Sequence, residues 1–280
     1  MPRPVEGLSG LRVTSISAGV DCTIAVCADG SVWGWGRNAE GQLGLGVEVE
    51  GWMRRPERVK ALSGVVVTAA ACGGAHTLLL SDEGAVFTCG AGVFGKLGHG
   101  SEEDEPLPRA VEALAPYRVA HVAAGDCSSH FVSLLRRGAV VQRRQRSWCA
   151  GAQLCVAEGQ PARVLTPVEV VRAEGVRYCC ACGDAALLDE SGGVWICGGE
   201  WAVAFDEDVG RPSATPVLLP PPEGIPVVDV VAYYEAAVLV PADGSLRGAG
   251  AEGDDWGRLP LVRPPPELLD DGTEDTFVEE

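Results

Sequence analysis

Apolar residues in this chain come in short runs separated by glycine-centred turns, and one phrase of run, turn and run returns five times. The phrases are TIAVCADGSVWGWG, TLLLSDEGAVFTCG, FVSLLRRGAVVQ, ALLDESGGVWICG and AVLVPADGSLRGAG. Taking Gly30, Gly84, Gly138, Gly193 and Gly244 as the turn glycines gives steps of 54, 54, 55 and 51 residues. Asp-Gly between two apolar runs is a strong hairpin signal, because glycine accepts the positive φ such turns require. Ahead of the first hairpin, LRVTSISAG alternates apolar and polar residues as a strand does. Ahead of the second, VVVTAAA is apolar on both faces, as a strand held between two neighbouring sheets must be. No helical period of useful length occurs. Hairpin units recurring at about 50 residues predict an all-β array of the propeller type, five four-stranded blades. The units fall at about 11–63, 64–117, 118–173, 174–224 and 225–268, followed by a tail over 269–280.

The repeat is graded. Units one and two each close on a glycine-rich loop, RNAEGQLGLG and GAGVFGKLGHG. Unit three has two extra residues before Gly138 and replaces the loop with QRRQRSWCAGAQLCVAEGQ. Unit four carries GEWAVAFDEDVG there, and unit five a shortened AEGDDWGRLPLV.

Composition narrows the function classes. The formal net charge is −17, and from Glu267 onward seven acidic residues occur with no Lys or Arg. Such a body repels phosphate backbones, so DNA binding through its general surface is excluded. No run of 18 apolar residues predicts a transmembrane helix. The opening MPRPVEGLSG lacks the apolar core of a secretory signal. The expectation is a soluble intracellular protein, cytoplasmic first, with nucleus, mitochondrion and cilium as alternatives. Eleven cysteines fit reduced thiols in that compartment. Cys89 and Cys197 share one repeat position; Cys22, Cys72, Cys127 and Cys182 cluster at another, where cysteine acts as a small apolar residue.

The units also resemble a known family. AGVDCTIAVCADGSVWGWGRNAEGQLGLG and CGGAHTLLLSDEGAVFTCGAGVFGKLGHG are similar to the repeat of the regulator of chromosome condensation family. The matching residues are Trp33, Gly34, Asn38, Gly41, Gln42, Leu43, Gly44, Gly46, Gly73, Gly74, His76, Thr77 and Gly84. Units three to five follow by spacing and partial motifs. The resemblance implies a ring of seven blades turning about 51° each, whereas five closed blades would need about 72° each. Five units therefore form either a compact closed ring or an open arc. It also implies that His76 and Thr77 are a structural pair.

Little remains to carry chemistry. A catalytic histidine needs a nucleophile and an orienting carboxylate, and no spacing supplies them. The loop around His99 follows a hairpin and lacks the Lys-Ser/Thr ending of a phosphate cradle. Cys179, Cys180 and Cys182 fall short of a zinc site, because alternation sends the first two to opposite faces. No catalytic, cofactor or metal residue is expected. Two clusters stand out as partner-binding candidates: Arg136, Arg137, Arg143, Arg144, Arg146 and Trp148 in the break of unit three, and Glu102, Glu103, Asp104 and Glu105 after unit two. The first suits an acidic protein or, alternatively, an RNA backbone. The expected function is a non-enzymatic protein–protein interaction scaffold within a larger assembly. The alternative, implied by the resemblance, is a guanine nucleotide exchange factor or regulator of a small GTPase, which the acidic stretch would meet.

Overall fold

In the computed structural model, side chains are described over residues 4–46, 51–125, 188–189, 191–195, 224–230 and 238–247, and backbone alone over the remaining strand residues up to 258. Among the described residues, twenty strands form five antiparallel sheets, each an up-and-down meander of four. The first holds β1 (Val13–Ala18), β2 (Cys22–Cys27), β3 (Val32–Arg37) and β4 (Trp52–Arg58). The second holds β5 (Val67–Cys72), β6 (His76–Ser81), β7 (Val86–Gly90) and β8 (Glu105–Ala110). The third holds β9 (Arg118–Ala124), β10 (Ser128–Arg137), β11 (Val140–Ala152) and β12 (Arg163–Val171). The fourth holds β13 (Val176–Ala181), β14 (Ala185–Asp189), β15 (Val194–Gly198) and β16 (Ser213–Leu219). The fifth holds β17 (Val227–Tyr233), β18 (Ala236–Pro241), β19 (Arg247–Gly250) and β20 (Gly257–Arg258). This is the β-propeller architecture expected from the repeat. Each sheet packs on the next in order, from one to five, chiefly through the first two strands.

The β2–β3 turn shows why its sequence recurs. Asp29 Oδ1 accepts hydrogen bonds from the Ser31 amide at 3.0 Å and its hydroxyl at 2.6 Å, while Gly30 takes φ 78°. Asp243, Gly244 and Ser245 repeat this arrangement in sheet five. The fourth turn corrects the sequence reading, which set Gly193 as its glycine. Gly192 is the left-handed residue, at φ 83°, and Gly193 is the residue before β15, its amide donating to Asp189 Oδ1. With Gly192 as the marker, the last two intervals become 54 and 52 residues.

Two apolar clusters fill the seams. Ile24, Val26, Val32 and Leu43 from sheet one meet Val67, Cys72 and Leu79 from sheet two. On the other side of sheet two, Ala71, Leu78, Leu80 and Val86 meet Val119 of sheet three. A register shift between Val67 and Ala69 lets β5 direct Val67, Ala70 and Cys72 backward and Ala71 forward.

Polar contacts lock the same seams. Three turn glycines offer their carbonyls to a valine at the start of the next sheet: Gly30 accepts from Val67 at 3.2 Å, Gly84 from Val119 at 3.0 Å and Gly192 from Val227 at 3.0 Å. Near the inner ends, a Cβ on Gly19 would lie 2.3 Å from the Gly73 carbonyl oxygen, and one on Gly73 2.3 Å from that of Gly125. The loop after β3 is held by Asn38, whose Oδ1 accepts from the Leu43 amide at 2.9 Å. That loop then reaches into sheet two: the Gln42 carbonyl accepts from the buried Thr77 hydroxyl at 2.7 Å, and the Gly46 amide donates to the Pro106 carbonyl at 3.0 Å. After β7 the corresponding loop packs against β11 and β12. There Thr88 donates to the Leu97 carbonyl at 2.8 Å and so accepts from His99 Nε2, also at 2.8 Å. Burial first, then Arg109, lowers the His99 pKa below its ordinary 6.5.

Three outcomes are expected. Gly73→Ala destabilises the fold by about 1–3 kcal/mol, because the new methyl has a carbonyl and the His76 ring in its way; urea unfolding measures this. Thr77→Val leaves the buried Gln42 carbonyl without its hydroxyl donor and costs about 1–3 kcal/mol in the same assay. For His99 the unfolded chain binds the proton more readily than the folded one. Its contribution to stability is therefore present above about pH 6.5 and lost as pH falls through the depressed folded value. Urea midpoints between pH 7.5 and 5 fall less steeply for His99→Gln than for the parent.

Candidate interaction surface

The third sheet departs most from its neighbours. Its central strands β10 and β11 run ten and thirteen residues, against six each for β2 and β3 and six and five for β6 and β7. The extra length pairs as a hairpin that continues beyond the end of the standard blade. Arg137 pairs with Val140, Arg136 with Val141, Leu134 with Gln145 and Ser133 with Arg146, with a register shift between Leu134 and Arg136. Arg136, Arg137, Arg143 and Arg144 thus occupy the distal end of one strand pair, and Arg146 the adjoining rung. Trp148 lies further in, opposite Phe131. The side chains of all six candidates lie outside the described residues, so their placement rests on backbone and register alone. The sequence registered the two-residue insertion before Gly138, placed Arg136 and Arg137 in the hairpin phrase and assigned Arg143, Arg144 and Arg146 to a replaced loop. These three lie within β11, Arg146 on a paired rung and Arg143 and Arg144 at the register shift.

The acidic stretch is not a uniform patch. Glu102 and Glu103 are exposed. Asp104 is also exposed, but it is tied to the fold, its Oδ1 accepting from the Gly92 amide at 2.8 Å. Glu105 opens β8 and forms an ion pair with Arg109 on the same strand. Gly92 lies so close beneath that a Cβ there would meet the Glu103 carbonyl. Asp104 and Glu105 therefore help anchor the blade's outer strand, while Glu102, Glu103 and Asp104 are all exposed and Glu105 is half-buried.

Residues with nucleophilic or acid–base chemistry are mostly consumed by packing. Cys22, Cys27, Cys72 and Cys89 are free and buried. Cys22 and Cys72 meet across the first seam. Cys72 acts as the hydrogen-bond donor, which lowers the Cys22 pKa and, together with burial, raises its own. Burial pushes the Cys89 thiol far above its ordinary range, and it lies against the Gln42 carbonyl. His76 is fully buried at the start of β6. Among the described residues, no group of three or more His, Cys, Asp or Glu is placed to hold a metal ion. Cys179, Cys180 and Cys182 lie outside the residues whose side chains are described. Among the described residues, no helix is long and apolar enough to cross a membrane.

With this geometry in place, comparison with known proteins is informative. The Regulator of chromosome condensation (RCC1) repeat matches residues 29–80 and 83–132, and a second model of that repeat matches 13–42 and 67–96. The chain is similar to the mitochondrial RCC1 domain-containing protein RUG3 of Arabidopsis thaliana, 39% identical over 129 residues, which are 46% of this chain and 28% of that protein. It is 36% identical over 125 residues to the Ultraviolet-B receptor UVR8 of the same plant, covering 45% of this chain and 28% of the receptor. The chain thus spans little more than a quarter of each. In three dimensions it resembles Prp20p from Saccharomyces cerevisiae with a TM-score of 0.70 at 23% identity, over 89% of this chain and 62% of the yeast one. Repeat spacing, loop-to-blade locking and these matches agree: the chain carries RCC1 repeats within residues 13–132 and is similar to RCC1-like repeat proteins.

Proposed function

We propose that this chain is a non-enzymatic protein–protein interaction scaffold and a subunit of a larger assembly. RCC1-like repeat proteins mediate protein interactions, and Prp20p is described with binding properties to Gsp1p and histones. One observation supports the reading most directly. Where the repeat is regular, its polar side chains are spent on seams and turns, as Asn38, Thr77, Thr88 and Asp29 show. Where it is irregular, an arginine-bearing strand pair extends from an otherwise acidic body. A projecting hairpin with four arginines at its end suits a partner with an acidic surface. Opposite charge there speeds encounter and fixes orientation.

The test replaces Arg136, Arg137, Arg143 and Arg144 with Glu in the tagged full chain expressed in its source cells. Far-ultraviolet circular dichroism checks folding, and quantitative mass spectrometry reads stoichiometric partners. Expected is a loss of about tenfold or more in recovery of the main partner, with the fold retained. An RNA ligand would show as nuclease-sensitive recovery. Acceleration of nucleotide release from a panel of purified small GTPases would replace the scaffold reading with the regulator reading.

A further inference from the structure

Two thiols meet at the inner end of the first seam, at positions where the neighbouring sheets carry other residues. Cys22 opens β2 as His76 opens β6. Cys22 pairs with Gly36 and its carbonyl accepts from the Gly19 amide, as His76 pairs with Gly90 and accepts from Gly73. By the same register Ser128 opens β10. Cys72 pairs with Thr77 as Ala18 pairs with Thr23 and Ala124 with Ser129. The fold therefore accepts histidine or serine at the first position and alanine at the second. Packing requires sulfur at neither, yet the first seam has it at both of these facing positions.

The geometry suits a bond between them. A Cβ on Gly19 would lie 3.2 Å from Cys22 Sγ and 3.2 Å from Cys72 Cβ, so the two side chains flank a single point. The thiols are in hydrogen-bonding contact, and β2 packs directly on β5. Strand β1 fixes Cys72 from the side. Its amide donates to the Ser17 hydroxyl oxygen at 2.9 Å, and its Sγ lies 3.4 Å from the Ser17 carbonyl oxygen. The other two described thiols are placed differently. Cys27 ends β2, at the far end of that strand from Cys22, and Thr77 stands between Cys72 and Cys89 on one rung of the second sheet.

The pair is also chemically unequal. The hydrogen bond from Cys72 lowers the Cys22 pKa below its ordinary value, while that bond and burial raise the Cys72 pKa. Cys22 is therefore the better nucleophile, since the thiolate is the attacking form. Both residues are buried beneath the β1–β2 turn, whose Val20 is exposed, a setting that suits a small oxidant.

We propose that Cys22 and Cys72 are a redox-modification site, forming a reversible disulfide that joins sheet one to sheet two when a peroxide is the oxidant. The Cys22 thiolate attacks one oxygen of hydrogen peroxide and the O–O bond breaks. Hydroxide leaves and takes up the proton that Cys22 gave up, leaving Cys22 as a sulfenic acid. The Cys72 sulfur then attacks the Cys22 sulfur, the S–O bond breaks, and water leaves with the Cys72 proton. Two thiols lose two electrons, and one peroxide is reduced to two waters. The partners are fifty residues apart in sequence, so the bond closes a long loop in the unfolded chain and stabilises the folded one. A dithiol reduces it back by exchange.

The test treats the reduced full chain with hydrogen peroxide, alkylates the remaining thiols and quantifies linked peptides by mass spectrometry. Expected is a rise of about tenfold or more in the Cys22–Cys72 peptide, reversed by dithiothreitol, with Tm raised by about 5 °C or more. Cys72→Ala places there the residue type of Ala18 and Ala124. It should lose the Tm rise and leave a Cys22 sulfenic acid that dimedone traps. Cys22→Ser places there the residue type of Ser128, and should lose both the Tm rise and any dimedone adduct at the site. Circular dichroism checks that each variant folds, and one folded variant suffices. No Cys22–Cys72 peptide after peroxide, linkage of either residue chiefly to a third cysteine, or a Tm rise that survives in a folded variant overturns the proposal.

Discussion

The fold depends on how closely the inner ends of its strands approach one another. A Cβ on Gly19 would stand 2.3 Å from the Gly73 carbonyl, and one on Gly73 2.3 Å from that of Gly125, distances no methyl group tolerates. Three successive sheets are thereby brought together at points where only hydrogen can be carried on Cα. Once these ends converge, the sheets splay outward, and the space between them must be filled by side chains of graded size. Ala71 and Cys72 sit near the convergence, with Leu78, Leu79 and Leu80 on the next strand. The glycine-rich loops follow from the same geometry. As sheets separate toward the rim, a loop from one must bridge to the next, and Gln42 does so through its carbonyl to Thr77.

Much of this was legible in the sequence because it is local. Hairpin turns depend on residues two or three apart, so Asp29-Gly30 and Asp243-Gly244 announce themselves. The fourth turn misled because two glycines adjoin. Only the position of the Asp189 carboxylate, which takes the amides of both Ser191 and Gly193, shows that Gly192 is the left-handed one. What could not be read was contact between units. That Gly41 would strike Pro106, and Gly44 Pro108, follows from packing of the blade-one loop on β8, some sixty residues away. Prolines in β8 looked like loop residues; they are tolerated because β8 is an outer strand with one unpaired edge. The acidic stretch was legible only as charge. Asp104 is a hydrogen-bond acceptor within the fold and Glu105 an intrastrand ion-pair partner, roles that composition does not reveal.

The arginines illustrate a different limit. A repeat that loses its consensus reads as having lost its structure, and in unit three the segment QRRQRSWCAGAQLCVAEGQ after the hairpin reads as a replaced loop. The backbone instead continues the strand pair, with Arg136 and Arg137 opposite Val141 and Val140. Alternation there is poor as an apolar signal, because RRGAVVQRRQR sets charged and polar residues at successive positions, so the pattern that marks buried strands is absent.

A quasi-repetitive fold carries its own internal standard. Each seam tells what its neighbours should look like, so a deviation can be measured against equivalent residues of the same molecule. By that standard Ile16 is out of place: surface strands of soluble proteins do carry single exposed aliphatic residues, but here the exposed positions are the register equivalents of seam residues. The other side of the same strand is engaged through Ser17, whose hydroxyl oxygen accepts from the Cys72 amide.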